Sequence, residues 1–468
     1  MSTVRWAGHN CAADGVLVRI TSSPIHTAQL RRTIGPTQMA FYALGSMLGS
    51  GIYGLIGQAA GLAGSAVWLS FLVALVAALL TAFSYASLGS RYPRAGGAAY
   101  IVERAFRSPL LGFVAGLGVV CSGLASVATQ SQVFARNLAE LLDVTQLIAP
   151  AIAFGFLLVL AGVVFRGIRE SMWINILCTC VEAAGLLIVI AVGLSYWGTV
   201  DYLEVPAASY GLAADGLWLA VMQGTVLTFF AFIGFEDTLN VAEECKEPER
   251  TIPIGLLTAM GIAAILYVAV AITAVSVVPW ADLAAAPGPL TEVIRRAAPA
   301  IPSVIFTAIT LFAVSNTALV NYVTSSRLLY GMAQQNLVPA PLGRIHLTAR
   351  TPHVAIIGIL LLLAPLALFG SVATLASATV LLLLVVFTAM NAALLILQRR
   401  PGEAKAPFEI PSAIPAAGAV ICAAMIVVRV ATGDWRAPAL AGTLLSGILL
   451  LYAVSRPIAG RTQPGGQD

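Results

Sequence analysis

Two long uncharged stretches dominate the pattern of hydrophobic and polar positions along the chain. The first runs for 58 residues from Thr33 to Ser90, and the second runs for 48 residues from Thr351 to Gln398. A membrane-spanning helix needs about 20 apolar residues, so each stretch holds two crossings, and the second must fold back near Gly370 and Ser371. Together with the other apolar segments they predict twelve crossings, at 35–62, 65–89, 109–138, 146–165, 172–197, 217–242, 253–279, 302–335, 353–370, 372–398, 411–431 and 437–455.

The composition agrees with a polytopic membrane protein. Of the 468 residues, 59% are hydrophobic and only 10% are charged, whereas soluble domains carry about 25% charged residues. The alternating pattern of a membrane β-barrel is absent, so the predicted fold class is all-α. The six cysteines are scattered and predict neither a disulfide framework nor a metal site, and we expect no cofactor.

Basic residues are distributed unevenly between the predicted loops. The N-terminal segment, the even-numbered loops and the C-terminal segment hold 20 of them, and the odd-numbered loops hold 5. Because basic residues are retained on the cytoplasmic side, this bias predicts a cell-membrane protein with both termini in the cytoplasm. The predicted tails are residues 1–33 and 456–468, and residues 1–32 lack the continuous apolar core of a signal peptide.

The loop between the second and third crossings contains a segment that alternates apolar and charged residues at helical spacing. It follows Gly96-Gly97 and ends near Phe106. Such a pattern predicts a helix lying along the cytoplasmic interface, with a plain connecting loop as the alternative.

The first crossing is interrupted by the small residues Gly49-Ser50-Gly51-Ile52. Glycine weakens a helix, and irregular backbone at membrane depth survives only where it is buried in protein or lines a wet cavity. The interruption therefore indicates a binding site, and close packing of small residues against another helix is the alternative.

A second interruption, Gly234-Phe235-Glu236, lies in the sixth crossing. Each interrupted helix opens a group of five, the pattern expected of two inverted repeats with a binding site at their shared midplane. We therefore predict a transporter core at 34–398, with repeat 1 at about 34–197 and repeat 2 at about 217–398. Crossings eleven and twelve, within 399–455, follow the core and belong to neither repeat.

Three acidic residues lie deep within the predicted crossings: Glu182, Glu236 and Asp237. Charged groups at membrane depth are costly and usually functional; the alternatives are a structural polar pair or a misplaced boundary. The eighth crossing is too long for one membrane thickness, so its Arg327 end is expected to project into water or to tilt.

Several segments, taken together, carry a resemblance to a known family. They are Gly49-Ser50-Gly51-Ile52, Tyr92-Pro93-Arg94-Ala95-Gly96-Gly97, Phe230-Ala231-Phe232-Ile233-Gly234-Phe235-Glu236, Glu243-Glu244-Cys245-Lys246-Glu247-Pro248-Glu249-Arg250-Thr251-Ile252-Pro253, and Ser326-Arg327-Leu328-Leu329-Tyr330-Gly331-Met332-Ala333 with Leu337-Val338-Pro339. They resemble the amino acid–polyamine–organocation permeases, most closely the cationic-amino-acid branch. The match runs in order from about residue 33 to residue 455.

This resemblance implies a LeuT-like fold of two inverted five-helix repeats plus two further helices. It also implies secondary active transport of an amino acid by alternating access. Recognition would use the backbone at both breaks, which agrees with the preference of a half-helix N-terminus for an anion and of free carbonyls for a cation. By position in the family pattern, the carboxylate would lie at the amides around Ser50, Gly51 and Ile52, and the ammonium at the carbonyls of Met47, Phe230 and Ile233. The remaining site residues at the breaks would be Gly49, Gly234 and Glu236. We expect the side-chain pocket to contain Phe230 and, from their positions along the helices alone, Ser122, Asn316 and Asn321.

One position departs from the family pattern. The cationic-amino-acid branch tends to have a lysine in its fifth helix, at a fixed distance after a motif that here reads Gly167-Ile168-Arg169-Glu170-Ser171, and this chain has Glu182 there. Burial would favour the neutral form of this carboxyl, which could then take up and release a proton. Pairing with a cationic substrate and holding a metal cation are the alternatives. Glu236 occupies the family's acidic position in helix six, where we expect a role in coupling or gating.

Other classes of function find little support in the residues. No histidine lies in the core of a crossing, since His9, His26, His346 and His353 are all outside or at the ends, so an intramembrane enzyme is not expected. No Gly-x-x-x-x-Gly-Lys-Ser/Thr loop is present for an ATP-driven pump. A polyamine or amino-alcohol permease of the same fold, and a non-transporting membrane sensor, stay open as alternatives. The expected partners are a small-molecule substrate and the lipid bilayer, with no nucleic acid and no obligate protein partner.

Overall fold

A computed structural model describes residues 30, 32–206, 216–286, 288–369, 372–403, 405–432, 442–443, 445–450 and 452. This part of the chain is helical, as predicted, and its β-type contact is an isolated parallel bridge between Ile34 and Cys245. The α-helices are α1 Pro36–Met47, α2 Ser50–Ala63, α3 Val67–Arg91, α4 Gly97–Phe106, α5 Pro109–Leu141, α6 Ala149–Arg166, α7 Ile168–Gly193, α8 Gly216–Ala231, α9 Pro248–Val277, α10 Trp280–Ala285, α11 Pro289–Ala297, α12 Ser303–Gln334, α13 His353–Phe369, α14 Val372–Arg399 and α15 Ala413–Thr432.

Among the described residues, 8 helical segments are long and apolar enough to cross a membrane, judged by length and composition. They are Ile56–Arg91, Pro109–Ala139, Ala149–Arg166, Ile168–Tyr196, Gly216–Glu244, Pro248–Val277, Val304–Gln334 and Val380–Arg399, and two shorter apolar helices are His353–Ala367 and Ala413–Val427. The predicted fold-back at Gly370 and Ser371 and the C-terminal tail lie outside the described residues, as do most of the N-terminal tail and of the twelfth crossing.

Two helices begin earlier than the apolar pattern predicts. Helix α9 begins at Pro248 rather than at 253, because a proline in the first turn loses no hydrogen bond and Glu249 beside it complements the helix dipole. Helix α7 begins at Ile168 rather than at 172. The single residue between α6 and α7 is Gly167, whose φ of 146° lies in a region that glycine adopts readily, so the chain can turn there within one residue.

The predicted interface segment is helix α4. Its last carbonyls accept hydrogen bonds from Arg400, whose guanidinium donates to the carbonyl of Arg104 at 2.8 Å and to that of Ala105 at 2.6 Å. Arg104 also pairs with Glu403 at 2.9 Å. The segment is therefore a helix tied to the loop that follows α14, and its position along the membrane interface remains a prediction.

The interrupted helices lie at the centre of the packing. Helix α1 packs against α7, α9 and α12, while α2 packs against α8, which itself packs against α3. Helices α5 and α12 pack along one another extensively. One hydrophobic cluster runs continuously through nearly all of these helices, so the two breaks are enclosed by apolar side chains.

The Arg327 side chain is fully buried against the protein, and whether its end of α12 projects beyond the membrane or tilts stays a prediction. Its Nε lies 3.3 Å from Oε2 of Glu244, which is also fully buried, and its Nη1 donates to the Ser326 hydroxyl at 3.0 Å. A buried guanidinium is tolerated when a carboxylate pairs with it and further hydrogen bonds satisfy its donors. The partner comes from the segment after the second break, which the length of the eighth crossing could not reveal.

Candidate functional site

The first break separates α1 from α2 by two residues, Leu48 and Gly49. Gly49 has φ −62° and ψ −150°, which ends the helical conformation of α1 before α2 begins at Ser50. The next residue, Gly51, lies against the second break: a Cβ there would come within 2.9 Å of the Ala231 Cα. A side chain at position 51 would therefore force the backbones of the two breaks apart.

The second break follows α8, which ends at Ala231. Gly234 has φ +126°, and a Cβ on it would lie 2.8 Å from the Ser46 carbonyl carbon. Its N–H donates to Oε2 of Glu236 at 2.7 Å. A 3₁₀ helix at Phe235–Glu244 then replaces the α-helix that the pattern predicts to continue to residue 242. Such long 3₁₀ runs are uncommon, and irregular segments of this kind often mark functional sites.

A tyrosine of α9 links the two breaks. The Tyr267 hydroxyl lies 2.5 Å from the Met47 carbonyl and 3.0 Å from the Ala231 carbonyl, so the end of α1 and the end of α8 share one donor. Tyr267 is not among the predicted site residues. The available signal was a tyrosine inside an apolar crossing, since a buried hydroxyl normally needs a hydrogen-bond partner.

Asp237 joins the second break to α1 and α12. Its Oδ2 accepts a hydrogen bond of 2.6 Å from the Ser46 hydroxyl, and Thr324 of α12 interacts with it electrostatically. Thr324 in turn lies 2.8 Å from the Tyr42 hydroxyl. Asp237 is only 3% exposed. The structure therefore favours the interpretation of this acid as a hydrogen-bonded structural group.

Glu182 is fully buried in α7, and neither of its carboxyl oxygens has a hydrogen-bond partner within the described residues. The Asn316 amide and the hydroxyls of Tyr53 and Tyr267 lie near enough to interact with it electrostatically. The Tyr53 hydroxyl also donates to the Glu182 backbone carbonyl at 2.7 Å. Glu182 is thus joined through its backbone to α2, the second half of the first interrupted helix.

Asn316 lies outside the cavity wall, among polar groups of neighbouring helices. Its amide donates to the Thr179 hydroxyl at 3.0 Å and to the Gly45 carbonyl at 3.4 Å, and its oxygen accepts from Asn175 at 2.9 Å. These contacts join α12 to α7 and α1. Asn316 therefore acts through helix packing rather than by facing the space between the breaks.

A cavity of about 80 Å³ lies between the two breaks. That volume has room for roughly five to eight water-sized groups, which is the size of a small amino acid. Nine of the predicted residues line it, namely Met47, Gly49, Gly51, Ser122, Phe230, Ile233, Gly234, Glu236 and Asn321, together with the unpredicted Ser46, Ser126, Thr129, Asp237, Thr317 and Leu383. Among the residues whose side chains the structure describes, Ile52, Asn316 and Glu182 are not part of this lining.

The hydroxyls and carboxylates of this cavity face a wall that is partly apolar. Ser122, Ser126 and Thr129 follow one another on one face of α5 and line the same cavity as Glu236 and Phe230 of α8. Thr129 donates to the carbonyl of Ala125 at 2.8 Å. A zwitterion could therefore find backbone donors, backbone carbonyls and side-chain hydroxyls within one small space.

Comparisons with known proteins identify the family of the chain. A family model described as "Amino acid permease" matches residues 34–438. The branched-chain amino acid permease BcaP of Bacillus subtilis is 26% identical over 427 residues, which cover 85% of this chain and 88% of that protein. The methylthioribose transporter of the same organism is 26% identical, covering 86% of this chain and 89% of that protein. The chloroplastic cationic amino acid transporter 9 of Arabidopsis thaliana is 27% identical, covering 68% of this chain and 58% of that protein.

Proposed function

The chain belongs to the amino acid permease family, and we propose that it is a secondary active transporter whose two helix breaks bind the α-amino and α-carboxyl groups of an amino acid. The observation that carries this proposal is the meeting of the breaks, at Gly51 and Gly234, around a cavity of about 80 Å³. Family membership supports the class of substrate, and the printed names of the relatives include amino acid transporters.

Backbone recognition follows from the ends of the two half-helices. The N-terminus of α2 presents unpaired N–H groups near Gly51, and these attract a carboxylate. The C-terminus of α1 presents the Met47 carbonyl, which attracts an ammonium group but is also held by Tyr267. The Phe230 carbonyl accepts the N–H of Ile233 at 3.1 Å, so its second lone pair would serve the substrate.

The wider architecture belongs to the same proposal. We infer a LeuT-like arrangement of two inverted repeats, about 34–197 and 217–398, plus two further helices, with twelve crossings and both termini in the cytoplasm. The 20-to-5 bias of basic residues supports this orientation. Transport would proceed by alternating access, in which the two repeats rock around the fixed site between the breaks.

We further propose that Glu182 couples transport to protons, with Glu236 linking the coupling residue to the site. The fully buried Glu182 carboxyl has no hydrogen-bond partner among the described residues. The charge that it gains on losing its proton would therefore not be neutralised by a bonded neighbour. The Tyr53 hydroxyl of α2 donates to the Glu182 backbone carbonyl at 2.7 Å, and the Glu182 charge would act electrostatically on the Tyr267 hydroxyl, which holds the ends of α1 and α8.

The substrate proposal is tested by a thermal-shift panel of all proteinogenic amino acids and the common polyamines, followed by liposome uptake of each hit. We expect an amino acid to stabilise the purified protein and to accumulate in liposomes. Stabilisation by polyamines alone would favour the amine permease, and binding without uptake would favour a membrane sensor. Uptake should be lost with Gly51→Leu, which separates the breaks, while Gly162→Leu, at a position with open space around it, serves as the control.

A further inference from the structure

A second cavity, of about 360 Å³, lies away from the helix breaks, between the start of α1 and the start of α7. Its polar wall contains Arg169, Lys246, Thr33 and Gln38, and its apolar wall contains Met172, Trp173 and Ile176. No acidic residue lines it among the described residues. The residues that surround this space thus combine two positive charges with an apolar surface on α7.

The polar wall is rich in hydrogen-bond donors that lack acceptors. Neither Arg169 nor Lys246 forms an ion pair within the described part of the chain. The Thr33 hydroxyl likewise has no hydrogen-bond partner there. Gln38 uses its side-chain oxygen to accept the N–H of Gly35 at 2.9 Å, which leaves the amide NH₂ available. Two cations and two neutral donors together suit an anion with several acceptor oxygens.

The cavity lies where the apolar spans end. Arg169 is the second residue of the span Ile168–Tyr196, and Lys246 lies between the spans Gly216–Glu244 and Pro248–Val277. Trp173 is 65% exposed, and Leu177, one turn further along α7, is 59% exposed. Tryptophan is enriched at the membrane–water boundary, and an exposed apolar face beyond it is typical of contact with lipid chains.

We propose that this cavity binds the headgroup of an anionic phospholipid, with its phosphate at Arg169 and Lys246 and its acyl chains along Trp173 and Ile176. A free phosphate ion shares the headgroup chemistry but does not account for the apolar wall. Basic pockets between helices at the cytoplasmic boundary bind anionic headgroups in this way. Because the lipid would contact both α1 and α7, it would stabilise the arrangement of the first half-helix seen here.

The test uses the full chain in nanodiscs of phosphatidylcholine with an increasing fraction of brominated phosphatidylglycerol. Bromine quenches tryptophan fluorescence on contact, and comparison with Trp173→Phe isolates the signal of Trp173. Brominated phosphatidylcholine in an otherwise identical series measures quenching without headgroup charge. A further series adds inorganic phosphate to the buffer, which distinguishes a lipid headgroup from a free anion.

We expect half-maximal quenching of Trp173 at a low fraction of phosphatidylglycerol. The pair Arg169→Gln and Lys246→Gln should raise that fraction by about 25-fold, about fivefold for each basic residue removed at a membrane surface. The matched pair Arg344→Gln and Arg350→Gln removes two exposed basic residues from the loop between α12 and α13. This pair should leave the fraction of phosphatidylglycerol at half-maximal quenching unchanged. Arg169→Lys, which keeps the charge, should keep most of the binding.

Equal quenching in the Arg169/Lys246 pair and the wild type would overturn the proposal, as would an equal loss in the Arg344/Arg350 pair. Competition by inorganic phosphate at the same concentration as the lipid would overturn the assignment to a lipid. An unchanged unfolding temperature of each variant in pure phosphatidylcholine shows that the fold is retained. If the double variant unfolds, the single variants Arg169→Gln and Lys246→Gln decide the question by their separate shifts.

Discussion

At the scale of single residues, the polar groups of the core fall into two classes. Asp237 accepts a hydrogen bond of 2.6 Å from the Ser46 hydroxyl, whereas the carboxyl of Glu182 has no such bond among the described residues. A buried polar group without a partner costs stability, so proteins retain one chiefly where function requires it. This contrast is why Glu182 is the better candidate for coupling.

Glu182→Gln keeps the size of the side chain but cannot release a proton. We therefore expect uptake into liposomes to lose its dependence on an imposed pH gradient while substrate binding is retained. The measurement is initial uptake with and without the gradient, and the control is Glu170→Gln on the exposed start of the same helix. Uptake by Glu182→Gln with an unaltered response to pH would exclude Glu182 from coupling.

Glu182→Met should increase the stability of the protein while it abolishes coupled transport. Replacing an unpaired buried carboxyl by an apolar group of similar volume removes a desolvation penalty of about 1–3 kcal/mol. The readout is the thermal unfolding midpoint of the purified variant beside the wild type. A lower midpoint would mean that the carboxyl has a stabilising partner.

Tyr267→Phe removes the one hydroxyl that the Met47 and Ala231 carbonyls share. We expect a loss of roughly 1–2 kcal/mol of stability, because a buried carbonyl loses its donor, and a weaker apparent affinity for substrate. Thermal unfolding and the concentration dependence of uptake measure the two effects. Tyr53→Phe, which removes a different hydroxyl bonded to α7, tests whether any buried tyrosine would act the same way.

At the scale of the elements, glycines decide how closely the interrupted helices approach. The Gly234 backbone has φ +126° and leaves no room for a Cβ beside the Ser46 carbonyl. Larger residues are excluded both by conformation and by space, so the break could not be rebuilt as a continuous helix without moving α1. The break is therefore a property of the packed pair rather than of one segment.

Gly234→Ala should destabilise the protein by about 1–3 kcal/mol, the cost of a strained backbone conformation, and should lower uptake. Gly162→Ala is the matched control, since nothing lies within 4 Å of a Cβ there. We expect that control to be neutral or slightly stabilising, because alanine favours the interior of a helix. Thermal unfolding of the two variants side by side decides the matter: an equal response would show that the φ of Gly234 is not required.

At the scale of the whole molecule, a buried ion pair ties three distant segments together. Arg327 of α12 meets Glu244, whose backbone carbonyl accepts the N–H groups of Thr33 at 2.8 Å and of Ile34 at 3.0 Å. The Lys246 N–H donates to the Ile34 carbonyl at 3.0 Å. The entry to α1, the end of the second break and α12 are thus joined at one end of the molecule, on the side that the basic residues predict to be cytoplasmic.

Glu244→Gln leaves the Arg327 charge buried without its counter-ion. We expect a loss of about 3–5 kcal/mol of stability, and a smaller loss in the double variant Glu244→Gln, Arg327→Met, in which neither charge remains. Thermal unfolding of Glu244→Gln, of Arg327→Met and of the double variant forms a double-mutant cycle, which measures the interaction between the two side chains. Additive losses would show that the two side chains do not interact.

The sequence by itself determined the all-helical class, the apolar spans and the positions of both breaks. These features are local: hydropathy and helix propensity act over one segment of the chain, so the glycines at 49–51 and at 234 could be identified without a structure. Of the nine predicted residues that line the cavity, seven follow from the breaks and the family pattern around them, and Ser122 and Asn321 follow from their positions along the helices.

Only the tertiary structure decided which side chains meet. The burial of Arg327 depends on Glu244, 83 positions away in the chain, and the role of Tyr267 depends on carbonyls in two other helices. Asn316 was assigned to the pocket, but its contacts with Asn175 and Thr179 hold it in the helix packing. Side-chain partners are set by how the helices cross. A membrane helix is apolar on every face, so its sequence does not show which face packs against which neighbour.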